Sequence, residues 1–205
     1  MSGIKNNLTI EVASLEDAPG VHKALLSNLV EIRDLDELKK EEKDHLEEHG
    51  FLRKEEPVDY YEKLIKDEDV DVYIAKEPDG KIIGFGSIHK KKYDIANFRS
   101  TLDKLYANDE NIKSLLTNES SRFAYLDQIS IFKEHQRQGI GSQIMQKMLE
   151  DLDIPVVSFV VKLPLANNSS VRWHERNGFE MAATCDGAYK GKKFEWWIYI
   201  HWNKK

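Results

Sequence analysis

The feature that most constrains this chain is a glycine-containing turn set between a strand and a helix. The apolar stretch Phe123 to Ile131 predicts a strand, and the spacing of apolar residues over Gly141 to Leu152 predicts an amphipathic helix. The turn between them, Gln136 to Ser142, has the sequence QRQGIGS. Its two glycines let the backbone turn sharply and approach a ligand closely. The following helix supplies unpaired N–H groups and the positive end of its dipole, so we expect an anion site suited to a pyrophosphate.

Side-chain donors from Arg137 and Ser142 can complete this site. A glycine-rich loop that binds no ligand is the alternative, and the spacing alone leaves it open. Two other phosphate-binding patterns are absent, because neither G-x-x-x-x-G-K-[ST] nor G-x-G-x-x-G occurs in the sequence.

The rest of the chain predicts a mixed α/β (α+β) fold, with a sheet of about seven strands and helices on both faces. Strand patterns occupy Leu8 to Ala13, Val70 to Ala75, Lys81 to His89, Phe123 to Ile131, Val156 to Val161, Phe179 to Thr184 and Phe194 to Trp202. Gly187 and Gly191 predict the turn between the last two strands. Asp94 to Ser121 has a polar, helical pattern, and we interpret it as an insertion of one or two helices in a single domain spanning residues 1–205.

Two segments carry a resemblance to a known family. Tyr125 to Leu152 resembles the acetyl-coenzyme A signature of the GNAT superfamily of N-acyltransferases, whose pattern Gln/Arg-x-x-Gly-x-Gly/Ala is met by Gln136, Gly139 and Gly141. Asn167 to Phe179 resembles the family's asparagine, helix and Gly-Phe ending. Both segments occur in the family's order, separated by a buried strand, which makes the resemblance specific.

The resemblance implies a mostly antiparallel seven-stranded sheet in which two central parallel strands splay into a V. The matching strands are Phe123 to Ile131 and Val156 to Val161, and the pantetheine arm of acetyl-coenzyme A would lie in the gap. Backbone groups of the first strand would pair with the arm, and the amides from Gln138 to Ser142 would hold the pyrophosphate. The cofactor-binding residues implied are Ile129, Ser130, Ile131, Gln136, Arg137, Gln138, Gly139, Ile140, Gly141, Ser142, Asn167 and His174.

The resemblance also implies an N-acetyltransferase in which an amine attacks the thioester directly within a ternary complex. The amine must lose a proton, and Asp127 is the candidate base because its side chain shares a strand face with Tyr125 and Ile129. Alternatively, Asp127 is a strand-end carboxylate paired with a lysine or an arginine.

His174 departs from the family pattern, since the position four residues before Gly178 commonly holds a tyrosine. A histidine can donate a proton near neutral pH, so His174 is the candidate acid for the leaving thiolate. The alternative is an ordinary helix histidine, with another residue or none supplying that proton.

We expect no metal site. His45 and His49 lie four residues apart on a predicted helix, but Leu46 stands where the metalloprotease motif needs glutamate. Cys185 is the only cysteine, so the chain cannot form an internal disulfide or a cysteine-based zinc site.

Charge and hydropathy limit the partners. A formal net charge of -6 does not favour nucleic acid, and the sequence shows neither a signal peptide nor a membrane span, so we expect a cytoplasmic protein with no membrane partner. The expected acceptor is a small-molecule or peptide amine. A homodimer is a further expectation, with the aromatic strand around Trp196 and Tyr199 as its candidate interface. A protein lysine or N-terminal acetyltransferase and a non-catalytic acyl-coenzyme A sensor remain alternatives.

Overall fold

Eight strands and six helices occupy the part of the chain described by the structure, a computed structural model that covers residues 8–29, 37–52, 56–90, 104–118, 120–189 and 192–203. The strands are β1 (Thr9–Val12), β2 (Val70–Lys76), β3 (Ile82–His89), β4 (Leu105–Ala107), β5 (Ala124–Ile131), β6 (Val156–Leu163), β7 (Glu180–Tyr189) and β8 (Lys192–His201). The helices are α1 (Ala18–Leu26), α2 (Lys40–His49), α3 (Val58–Lys66), α4 (Glu110–Thr117), α5 (Ile140–Asp151) and α6 (Asn168–Arg176).

The strands form one mixed sheet in the order β1-β2-β3-β5-β6-β8-β7-β4. β5 and β6 are parallel, whereas β1 and β2, β4 and β7, β6 and β8, and β7 and β8 pair antiparallel. This topology confirms the mixed, mostly antiparallel sheet expected from the sequence. No helix among the described residues is long and apolar enough to cross a membrane.

One strand was not expected. β4 lies inside the stretch interpreted as a helical insertion, and it pairs antiparallel with β7, Leu105 opposite Cys185 and Ala107 opposite Ala183. The side chains of Leu105 and Ala107 pack on the cluster that contains the buried Leu116 of α4. A three-residue strand that exists only because β7 offers an open edge leaves no periodic signal in the sequence. Residues 94–103 and 119 of the predicted insertion lie outside the described residues.

The last hairpin also differs from the prediction. The turn was expected around Gly187 and Gly191, but β7 continues through Gly187, which pairs with Phe194 of β8. Gly187 therefore lies within the paired part of the two strands, and Gly191 lies outside the described residues.

The chain divides into two compact units. The first comprises Met1–Leu29, Leu52–Ile88 and Gln128–Leu152, and the second Val30–Phe51, His89–Asp127 and Asp153–Lys205. β5 contributes to both, since its residues up to Asp127 belong to the second unit and those from Gln128 to the first.

In the first unit, α1 and α3 pack on the sheet through a core that includes the fully buried rings of Tyr61 and Phe85, which meet edge-to-face at 5.6 Å. α5 lies close against β3 at Gly86, where a Cβ would meet the side chains of Met148 and Ile144. This glycine therefore lets α5, and the turn that precedes it, approach the sheet closely.

In the second unit, the parallel ladder joins Ala124–Leu126 of β5 to Val156–Ser158 of β6. It covers three residue pairs, although each strand has eight residues, and Asp127 follows directly after it. So short a ladder agrees with the expected divergence of the two parallel strands.

The aromatic strand β8 lies inside the sheet, with β6 on one side and β7 on the other. Both its edges are thus hydrogen-bonded within the chain and cannot pair with a second copy. Trp196 and Trp202 pack on one apolar cluster of the second unit, whereas Tyr199 contacts the ring of His174. Aromatic side chains of β8 therefore pack inside the second unit.

Candidate active site

The glycine turn forms the start of α5. Gly139 is the residue before the helix, with φ 79° and ψ 5°, and the first helical hydrogen bond runs from Gln143 N–H to Gly139 O at 3.1 Å. The N–H groups of Ile140, Gly141 and Ser142 therefore have no acceptor within the helix. Gly139 has no side chain with which to cap them. Three backbone donors are presented together at the positive end of a twelve-residue helix.

The space beside Gly139 is open. A Cβ built on this residue would meet nothing within 4 Å, so the glycine is required here by its backbone conformation and not by packing. Arg137 also has a positive φ, 61°. Uncapped N–H groups at the start of a helix, next to a glycine with open space beside it, can bind an anionic group, so these residues fit a pyrophosphate.

A partly buried network of hydrogen bonds holds the start of this turn. Gln136 Nε2 donates to Asn28 Oδ1 at 2.9 Å and to Ile131 O at 3.1 Å. Asn28 Nδ2 donates to Ser130 Oγ and to Ile131 O, both at 2.8 Å. Ser130 Oγ donates to Ala24 O in α1 at 2.7 Å. The side chains of Gln136 and Ser130 therefore fix the turn to α1 and to the end of β5.

The end of β5 orients its backbone groups in two directions. Phe132 N–H donates to Ile83 O of β3 at 3.0 Å. Because backbone groups alternate between the two edges of a strand, those of Ser130 also face β3, and those of Ile129 and Ile131 face the opposite edge. Ile131 O accordingly accepts side-chain amides and not a β3 amide. Of the three residues predicted to pair with a pantetheine arm, Ile129 and Ile131 present their N–H groups in a suitable direction.

Asp127 stands beside a histidine that the sequence prediction did not include. His89 Nε2, at the end of β3, lies 3.8 Å from Asp127 Oδ2, and their side chains are 20% and 15% exposed. The ring centroids of His89 and Tyr125 are 6.1 Å apart, and Tyr125 meets Phe159 edge-to-face at 5.8 Å. Asp127 therefore faces an imidazole, which is bordered by an aromatic ring.

His174 is buried in an aromatic environment. Its Nδ1 lies 2.7 Å from Ser170 O, and its ring meets those of Trp173, Phe179 and Tyr199. A carbonyl oxygen can only accept, so Nδ1 carries the hydrogen and Nε2 carries the lone pair. Burial lowers the pKa of His174 to about 4, and Nε2 has no hydrogen-bond partner among the described residues. Near neutral pH the ring is therefore neutral and has no proton to give at Nε2, which argues against the acid role expected for it.

Both the oxygen and the nitrogen of the Asn167 side-chain amide form hydrogen bonds inside the second unit. Oδ1 accepts from Ser170 N–H at 3.1 Å as the cap of α6, and Nδ2 donates to Phe51 O at 3.0 Å. A Cβ on Gly50, whose φ is 84°, would meet the Ser169 side chain at 3.2 Å. Asn167 therefore fastens the segment after α2 to the start of α6.

The rings of His45 and His49 lie 4.2 Å apart on α2. Among the residues that the structure describes, no group of three or more histidine, cysteine, aspartate or glutamate side chains is placed to hold a metal ion.

Residues 35–179 match the sequence profile of the Acetyltransferase (GNAT) family, which is more than half of the 205-residue chain. The chain belongs to the GNAT acetyltransferase family. It is an acyltransferase, and acetyl-coenzyme A is the acetyl donor that GNAT enzymes use. Enzymes of this family act on amine acceptors such as peptides or small molecules.

Solved structures of GNAT enzymes share the fold at low sequence identity. A ribosomal-protein-alanine N-acetyltransferase from Escherichia coli is 13% identical, with a TM-score of 0.60 over 97% of this chain and 95% of that one. Arabidopsis thaliana NAA60 in complex with acetyl-CoA is 14% identical, with a TM-score of 0.54 over 96% and 98%. A spermidine N-acetyltransferase chimera from Vibrio cholerae and hSSAT is 15% identical, with a TM-score of 0.55 over 96% and 95%. At these identities the likeness concerns the fold alone. No curated protein sequence matches the chain significantly.

The structure groups the predicted GNAT site residues by unit. The turn and the end of β5, residues 129–131 and 136–142, lie together in the first unit, whereas Asp127, Asn167 and His174 belong to the second. Sequence reasoning missed Asn28 and His89. Asn28 follows α1 and gives no periodic signal, and His89 is the last residue of a predicted strand, so neither could be assigned before the chain is folded.

Proposed function

We propose that this enzyme transfers the acetyl group of acetyl-coenzyme A to a primary amine by direct attack within a ternary complex. The observation that carries the proposal is the start of α5, where three uncapped N–H groups follow Gly139, whose Cβ position has no atom within 4 Å. These amides, from Ile140 to Ser142, would hold the pyrophosphate, with Arg137 and Gln138 at its border. Gln138 Nε2 donates to Glu134 O at 3.2 Å, so its side chain shapes the turn.

The backbone of Ile129 and Ile131 supports the placement of the pantetheine arm. Their N–H groups point away from β3, and an extended arm could pair with them as an added strand would. Ser130 would support this segment through its hydrogen bond to α1 and would not contact the arm.

Asp127 is the acidic group of β5. It lies two residues before Ile129, and hence about 7 Å along the strand. The attacking amine must lose a proton here. The leaving thiolate does not require a dedicated acid, because an ordinary thiol has a pKa of about 8.5 and its anion is a competent leaving group. His174, neutral and unable to donate from Nε2, would pack the second unit and take no proton-transfer role.

The experiment is an assay of free-thiol release from acetyl-coenzyme A against a panel of polyamines, amino acids, peptide N-termini and peptide lysines, with mass spectrometry of the products. We expect thiol release that depends on one amine class, with an equal amount of N-acetylated product. That class identifies the acceptor as a small molecule or a peptide. Tight coenzyme A binding without thiol release from any amine would contradict the proposal and favour an acyl-coenzyme A sensor.

A further inference from the structure

The pair formed by His89 and Asp127 has the chemistry of an oriented base. Two titratable groups from neighbouring strands, β3 and β5, face each other across 3.8 Å, and both side chains are mostly but not completely buried. That separation is too long for a hydrogen bond and short enough for an ion pair. A histidine with one nitrogen beside a carboxylate, in a partly exposed position, can take a proton from a reactant and share the resulting charge.

We propose that His89 accepts the proton of the attacking amine and that Asp127 is the positioning residue that orients the imidazole. This inference rests on the proposed function and assigns the base within it. Asp127 Oδ2 faces Nε2 of His89, so the carboxylate favours the tautomer with hydrogen on Nε2 and leaves the lone pair on Nδ1. Asp127 was the candidate base by sequence, and the geometry moves that role to its neighbour.

An acceptor that arrives as an ammonium ion first gives one proton to His89 Nδ1, which releases it to solvent, and the neutral amine then attacks. The amine nitrogen forms a bond to the thioester carbonyl carbon and becomes cationic, and one of its protons passes to His89 Nδ1. The C–S bond breaks, and its electron pair leaves with the coenzyme A sulfur. The imidazolium then moves closer to the Asp127 carboxylate, since the N–H···O bond between two charged groups is stronger than the contact made by the neutral imidazole. Its proton returns to solvent, from which the thiolate is protonated.

Aromatic rings border the pair on one side. Tyr125 lies 6.1 Å from the His89 ring and is itself held edge-to-face by Phe159. The face of an aromatic ring attracts an ammonium group, so this border favours a cationic aliphatic amine as the acceptor.

The test compares His89→Ala, His89→Gln and Asp127→Asn with the wild-type enzyme, using the amine that supports thiol release. We expect kcat of both His89 variants to fall about 10²- to 10⁴-fold, the usual contribution of a general base, while coenzyme A affinity stays unchanged. Added imidazole should raise kcat of His89→Ala but not of Asp127→Asn, in which the native ring still fills the site. His45→Ala, at an exposed position on α2, is the matched histidine control and should keep wild-type kcat.

The outcomes separate the two proposals. Wild-type kcat in His89→Ala or His89→Gln, or a folded His89→Ala that binds coenzyme A and is not restored by imidazole, overturns the assignment to His89 and leaves the proposed function intact. A wild-type protein that releases no thiol with any amine overturns the proposed function itself.

Discussion

A histidine enclosed by aromatic rings stays neutral unless the pH falls well below the usual range of imidazole. His174 is 2% exposed, and its polar contacts, from Nδ1 to the Ser170 carbonyl at 2.7 Å and to the Ser170 hydroxyl at 3.3 Å, need only the neutral ring. The sequence placed this residue correctly at the family's tyrosine position on α6. Its protonation state could not be predicted, because it depends on burial by three aromatic rings. Trp173 lies in α6, Phe179 just before β7, and Tyr199 in β8.

The buried ring of His174 makes the protein less stable as the pH becomes acidic. The pKa of His174 is about 4 in the folded protein and about 6.5 in the unfolded chain, so between these values only the unfolded state binds the proton. Burial of neutral His174 therefore makes the free energy of unfolding about 3 kcal/mol larger above about pH 6.5 than near pH 4. This difference is lost as the pH falls from about 6.5 toward 4.

The check is urea unfolding of wild type and His174→Phe at about pH 7 and about pH 4.5. We expect the wild-type protein to lose more stability on acidification than the variant does, because phenylalanine fills the same aromatic site without titrating. An equal loss in the two proteins would contradict the buried neutral state. Near-wild-type kcat of His174→Phe at neutral pH would agree with the absence of an acid role.

Local sequence signals identified most of the elements that build the site. The alternation in β5 and the helical spacing in α5 were visible because each of these elements is more buried on one face than on the other. β2 and β3 are buried over most of their length, and they were visible as short apolar segments on either side of a turn. The left-handed Gly139 could also be anticipated, since a strand-to-helix turn that admits an anion needs it. β4 and the network around Asn28 could not be predicted, because both depend on partners that are remote along the chain.

Asn28 allows a test at the level of the turn. Asn28→Ala removes the acceptor of Gln136 Nε2 and the donor to Ser130 Oγ, leaving polar groups around the turn with fewer partners. We expect a loss of about 1–3 kcal/mol in the free energy of unfolding, together with weaker coenzyme A binding, because the turn is no longer fastened to α1. Asn111→Ala, at an exposed position on α4, is the control.

Denaturant titration and calorimetry with coenzyme A measure both effects. Loss of stability with unchanged coenzyme A affinity would mean that the network supports the fold without positioning the turn.

At the scale of the whole molecule, the sequence predicted the mixed sheet and the GNAT family. The structure revised the interpretation of two segments. The predicted insertion supplies β4, which extends the sheet beyond β7. The aromatic strand expected to form a dimer interface is the internal strand β8. The homodimer stays a prediction, and any interface must use surfaces other than the edges of that strand. Strand order is set by long-range pairing, which composition and periodicity do not encode.

Two glycines allow a matched test of whether the start of α5 binds the pyrophosphate of acetyl-coenzyme A. Gly139 and Gly80 have positive φ values of 79° and 86°, and a Cβ on either would meet nothing within 4 Å. Gly139→Ala and Gly80→Ala should therefore carry similar backbone strain, about 1–2 kcal/mol. Only Gly139→Ala adds a methyl group to the residue that directly precedes the three uncapped amides of α5.

Isothermal titration calorimetry of coenzyme A with the two variants is the most direct measurement. We predict that Gly139→Ala weakens binding at least tenfold, about 1.4 kcal/mol, whereas Gly80→Ala binds like the wild-type protein. Equal affinity for coenzyme A in both variants and the wild type would contradict the assignment of this turn as the pyrophosphate site.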